Sequence, residues 1–231
     1  MEYKENVLEP KLICSKGDIL LNEINIPLTN DKIYNLQFDL KNVDPKKVNI
    51  NTLLSTAIYE LIEKLNPDLI EKIYILNDLN NLNELNELNE TDICILLQHI
   101  TKEVGIKQKY MIFRTTKLVN NTNNSVIFYN KDLKYVNPEL SQSYLKTINL
   151  NTSQYEPMIF EFGKTQIYLS NIENNLQLIN IENIDNLINI KFSVDFQLTI
   201  VDDLPIYMEN LIGLMFKKMF YNIKEFITKI K

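Results

Sequence analysis

The chain has 231 residues, 45% of them hydrophobic and 23% charged, with a net charge of −6 and a pI near 5.0. That is enough apolar sequence for a sizeable core, and it lacks the Lys/Arg density on which sequence-independent nucleic-acid binding depends. Two cysteines (Cys14, Cys94) and one histidine (His99) exclude a disulfide framework, a four-ligand zinc site and most histidine-based metal centres.

Residues 1–9 are polar, unlike a secretory signal. The longest near-apolar run, Leu211 to Phe216, falls far short of the ~20 residues of a membrane span. The expectation is a soluble intracellular protein with no membrane partner. There are 32 asparagines, 32 isoleucines and 23 lysines against one alanine (Ala57) and one arginine (Arg114). Asn, Ile and Lys have AT-rich codons, so an AT-rich genome, such as that of a large DNA virus, an organelle or a protist, is the simplest cause.

Lys11 to Leu40 reads as β structure, followed by a turn at Asn42-Val43-Asp44-Pro45. The spacing of Leu54, Ile58, Leu61 and Leu65 predicts one helix over Thr52–Leu65, with Asn51 as its N-cap and Asn66-Pro67 as its stop. Leu69–Leu76 is a short strand. Leu79–Glu90, with leucine at every third position, is a solvated excursion. Thr91-Asp92 then caps a helix running to Val104. Tyr110–Phe113 and Val126–Tyr129 form a hairpin around the Asn120–Asn124 turn. Pro157–Leu169 and Leu176–Ile181 add β structure. Ile188–Val201 is the most regular strand, with apolar residues at alternate positions.

Pro205 opens the last helix, and Asp202-Asp203 lie at its positive end. Its apolar stripe includes Met208, Leu211, Ile212, Met215, Met219 and Ile223, widened by Phe216, Phe220 and Ile227 to more than half the circumference. Such a helix is either sandwiched within its own chain or meets another protein. No catalytic, cofactor-binding or metal-binding set can be assembled: four dispersed glycines make no phosphate loop, and one His with two Cys makes no nucleophile–base pair.

The order of motifs resembles the α-type subunits of multisubunit DNA-directed RNA polymerase, the bacterial α amino-terminal domain and the third-largest eukaryotic subunit. The residues that carry it are Asn42-Val43-Asp44, Pro67 to Ile75 with Asn77, the acidic segment Glu90 to His99, Val126 to Leu133, Pro157 to Lys164, and Phe192 to Ile200 followed by Leu204-Pro205. The family's paired arginines on the first helix and its cysteine cluster are absent, so no cofactor is implied.

The resemblance implies an α+β fold, a dimerisation domain (11–75 and 185–231) with two helices against a sheet, and an inserted mainly β domain (76–184). Leu54, Ile58, Leu61, Met208, Leu211, Ile212, Met215, Met219 and Ile223 would form the interface with a second α-like polymerase subunit. The pair would scaffold the two large catalytic subunits, in a viral factory or virion, a nucleus or an organelle. The chain itself would hold no catalytic residue and read no nucleic-acid sequence. Two alternatives stand beside this. One is a helix-grip ligand-binding domain, in which a curved antiparallel sheet wraps a long C-terminal helix around an apolar cavity. The other is a structural protein of a large DNA virus.

Overall fold

The structure is a computed structural model. It describes residues 10–16, 18–25, 32–76, 90–99, 107–170, 186–200 and 206–230, without the side chains of 16, 200 and 206–212.

Nine strands form one sheet. In chain order they are β1 (Lys11–Lys16), β2 (Ile19–Asn25), β3 (Lys32–Val43), β4 (Ile70–Ile75), β5 (Glu90–Leu97), β6 (Gln108–Asn120), β7 (Ser125–Asp132), β8 (Tyr155–Ser170) and β9 (Ile188–Ile200). Their spatial order is β1-β2-β3-β9-β8-β7-β6-β5-β4, antiparallel at every step. A short parallel pairing also joins the starts of β6 and β8, from Gln108↔Tyr155 to Tyr110↔Pro157.

The centre of the sheet follows from the alternation along β9. Ile190, Phe192, Val194 and Phe196 are buried on one face, opposite Leu40, Phe38, Leu36 and Tyr34 of β3. Phe38 stacks on Phe192 (ring centroids 4.7 Å apart) and Tyr34 on Phe196 (5.3 Å), the cross-strand aromatic pairs that lock a register.

This concave face is roofed by helices α1 (Ile50–Leu53), α2 (Ile58–Leu65) and α5 (Ile206–Ile230). The α5 backbone comes close to the sheet at Gly213, where a Cβ would stand 3.2 Å from the Tyr34 ring and 3.3 Å from Leu21 Cδ2. Farther along, Lys224 bonds Asp18 at the β1–β2 turn, Lys218 bonds Asp68, and the Asn222 amide donates to Asn66 Oδ1 (2.8 Å) and Leu65 O (3.2 Å). On the opposite face, α3 (Leu133–Val136) and α4 (Pro138–Thr147) cover a second cluster: Leu76, Cys94, Leu96, Tyr110 and Ile112 with Leu133 and Tyr144.

Several expectations are corrected. No α-subunit-like dimerisation domain with an inserted β domain forms, since all nine strands are hydrogen-bonded into one sheet. The acidic segment Glu90–His99 is not a helix but strand β5. Ile93, Ile95 and Leu97 enter the concave core while Cys94 and Leu96 enter the opposite cluster, and a strand covered on both faces has no polar side to show.

The predicted helix Thr52–Leu65 is two helices, separated where Ser55 Oγ accepts the Ala57 N–H (3.3 Å). Its cap is Asn49, whose Oδ1 accepts the Thr52 N–H at 3.2 Å, rather than Asn51. Asn42-Val43-Asp44 is a local turning device. Asn42 has φ 54° at the irregular end of β3, and Asp44 Oδ1 accepts the Lys46 N–H (2.9 Å). The Leu79–Glu90 tract up to residue 89, Leu176–Ile181, and Asp202 to Pro205 lie outside the described residues.

Candidate functional site

Between the concave face, α2 and α5 lies a cavity of about 60 Å³. Its wall is mainly apolar: Ile58 and Ile62 from α2, Ile95, Met111, Phe113, Phe128, Phe160 and Val194 from the sheet, and Phe216, Met219 and Phe220 from α5. Alternation places these side chains together. The register pairs Ile95 with Met111, Ile93 with Phe113, Phe128 with Thr165, and Thr165 with Val194, all on one face.

Aromatic rings fill most of the interior. Tyr59 approaches Phe113 (6.0 Å), Phe113 approaches Phe160 (5.2 Å), Phe160 approaches Phe216 (6.2 Å), and Phe216 stacks on Phe196 (4.4 Å). A bulge between Phe160 and Phe162 shifts the β8 register so that Phe160 and Gly163 both face inward.

One corner of this interior is polar. Thr115 Oγ1 of β6 donates to Asn130 Oδ1 of β7 at 2.8 Å. The Tyr59 hydroxyl of α2 sits 3.2 Å from Thr115 Oγ1 and 3.3 Å from Asn130 Oδ1. Tyr59, Thr115 and Asn130 are all buried. Burial pushes the Tyr59 phenol up to about 12 against the opposing hydrogen bonds from Thr115 and Asn130, so it is neutral at any physiological pH. Lys164 and Asp195 also border the cavity. They pair with each other at positions alternating with the inward Gly163, Thr165, Val194 and Phe196, and Asp195 Oδ1 accepts from the Asn35 side chain on the far face of the sheet.

The stripe residues named from sequence fall around this interior. Leu54, Ile58, Met215, Met219 and Ile223 are buried in the core of this chain, and Leu61 is partly buried against it. The side chains of Met208, Leu211 and Ile212 lie outside the described residues. Sequence reasoning missed Tyr59, Thr115 and Asn130, which come from three elements. The one local signal was a tyrosine set between Ile58 and Ile62. Cys94 is buried on the opposite face, where desolvation pushes its thiol up to about 12. Among the described residues, no three His, Cys, Asp or Glu side chains are grouped to hold a metal, and no helix is long and apolar enough to cross a membrane.

No family model matches the sequence, and no curated protein matches it by sequence. Solved structures do match. Human STARD10 is 10% identical with a TM-score of 0.58, covering 95% of this chain and 73% of its own. The lipid transfer and protein localization domain of human StarD13 is 7% identical with a TM-score of 0.59, covering 96% and 90%. Human StAR-related lipid transfer protein 5 is 6% identical with a TM-score of 0.59, covering 98% and 90%. These likenesses overturn the polymerase α-subunit resemblance, and with it the transcription role, the α-like and large-subunit partners and the α-subunit fold. The motif order that suggested it was a chance alignment of short, unspecific segments, one of them a strand mistaken for a helix. What the matches establish is the fold, a helix grip of the kind seen in StAR-related domains.

Proposed function

We propose that the chain binds an apolar ligand of the lipid class in the space between the concave face, α2 and α5. The observation that carries this is a cavity between the sheet and two helices whose wall is mainly apolar. Support also comes from the similar structures, two of which are named for lipid transfer.

The cavity's volume sets a condition. About 60 Å³ has room for a few water molecules, whereas ligand pockets run to roughly 300–1,000 Å³. Admitting an acyl chain therefore requires the interior rings to part. Phe160 and Phe216 are the pair to move, because they meet across the boundary between sheet and α5. The seam between α2 and α5 offers a route. Its Lys218–Asp68 ion pair is exposed on both sides, and such pairs contribute at most ~1 kcal/mol.

The test is incubation with phosphatidylcholine vesicles carrying trace fluorescent diacylglycerol and fluorescent phosphatidylcholine, followed by gel filtration. Co-elution of a label with the protein at a one-to-one ratio is expected. Protein that emerges free of both labels at every vesicle concentration contradicts the reading.

A further inference from the structure

The polar corner has one unused valence. Asn130 Oδ1 accepts from Thr115 and Tyr59, so the amide oxygen is turned toward the two hydroxyls. Its Nδ2 has no hydrogen-bond partner among the described residues, although the residue is only 9% exposed and lines the cavity. A donor that borders an apolar space without a protein partner gains a hydrogen bond when an acceptor enters that space. Among the described residues, the other inward polar side chains on the cavity wall are Tyr59 and, on the neighbouring strand, Thr165. Among the described residues, no charged side chain takes an inward position beside them. Lys164 and Asp195 occupy the outward positions of their strands, and Lys117, two residues beyond Thr115 on β6, is outside the lining.

We infer that the Asn130 amide anchors the ligand and selects an uncharged oxygen, an ester or ketone carbonyl or a hydroxyl, on an otherwise apolar molecule. This rests on the reading that the interior takes an apolar ligand. A carboxylate or phosphate there would lose its hydration without gaining a cation, a penalty far larger than one neutral hydrogen bond returns. A pure hydrocarbon would leave the amide unpaired. Tyr59 and Thr115 act as positioning residues, since their hydroxyls hold Oδ1 and thereby direct Nδ2.

The experiment is competition on the intact chain. Diphenylhexatriene, a fluorescent hydrocarbon, is displaced by decane, methyl decanoate or decanoate at pH 8. In the natural protein the ester should displace it at about tenfold lower concentration than decane, with decanoate the weakest. In Asn130→Leu the ester and the alkane should become equal while diphenylhexatriene still binds. Thr115→Val, which frees the amide to rotate, should reduce the discrimination without abolishing it and serves if the leucine variant does not fold. Equal displacement by ester and alkane in the natural protein, a preference for decanoate, or discrimination that survives Asn130→Leu would each overturn the selection while leaving apolar binding intact. No binding of diphenylhexatriene or any competitor would overturn both.

Discussion

The ring of Phe160 lies across Gly163, three residues farther along the same strand: a Cβ on Gly163 would stand 2.0 Å from Phe160 Cε1 and 2.7 Å from Cζ. Gly163→Ala must therefore push the ring from its seat between Phe113 and Phe216. Overpacking of this kind costs ~1–3 kcal/mol, and Phe160→Ala alone should cost ~3–5 kcal/mol by leaving a cavity. In the Phe160→Ala background the added methyl meets no ring. Denaturant unfolding of the four proteins should show Gly163→Ala costing little there. An equal cost in both backgrounds would mean that the glycine answers some other constraint.

Tyr59 supplies a pH signature. Its phenol is pushed up to about 12 by burial, against about 10 in an unfolded chain. A folded-state value above the unfolded one means stability that is fully present below pH 10 and lost as pH rises toward 12. Alkaline unfolding should be shallower in Tyr59→Phe than in the natural protein over that window. The substitution should also cost ~0.5–1.5 kcal/mol at pH 7 for the lost hydrogen bonds. Parallel pH profiles for the two proteins would place the phenol in water.

The chain's one arginine sits where a planar fork is needed. Arg114 Nε and Nη2 donate to the two oxygens of Asp92 at 2.7 and 3.0 Å, and Nη1 reaches Glu90 at 3.3 Å. The Asp92 side chain is 1% exposed. Arg114→Ala takes the bidentate cation away from that buried carboxylate, a loss of ~3–5 kcal/mol. Arg114→Lys should recover only part of it, because an ammonium cannot bond both oxygens in the same plane. Full recovery by lysine in chemical unfolding would reduce the fork to a point charge.

Lys217 on α5 is buried, and its Nζ lies 3.1 Å from Cys14 Sγ of β1. A thiol is a poor partner for an ammonium taken out of water. Lys217→Met should keep the packing and raise the unfolding midpoint, or leave it unchanged. A clear drop would show that the ammonium has a stronger partner.

Strand β9 was legible in the sequence because it buries alternate residues on one face and shows polar ones on the other, and the β6–β7 hairpin because the Asn-rich turn at 120–124 separates two apolar runs. Strand β5 was not. Cys94 and Leu96 fill a second cluster behind the sheet, so Ile93 to Leu97 is apolar without a break, and periodicity does not separate such a run from a buried helix. The apolar excess of the last helix was also visible. A curved sheet with α2 beside it covers more than one side of α5, so Met215, Phe216, Met219, Phe220, Ile223 and Ile227 are all buried in this chain. Asparagine holds all three positive-φ positions of non-glycine residues among the described residues, Asn42, Asn124 and Asn149. In a chain with four glycines it takes the left-handed turns glycine would supply. The polar corner was hidden because Tyr59 and Thr115 are separated by 56 residues, and only strand register brings Asn130 beside them.

The central claim is that an apolar molecule enters between the sheet, α2 and α5. The most direct measurement is photo-crosslinking with a diacylglycerol carrying a diazirine in one acyl chain, followed by peptide mapping. The account predicts labelling at Met111, Phe128, Phe160 and Met219, suppressed by unlabelled diacylglycerol and shifted by Phe160→Ala. Labelling confined to exposed apolar residues such as Leu12, Leu118 and Val119, and indifferent to competitor, would contradict it.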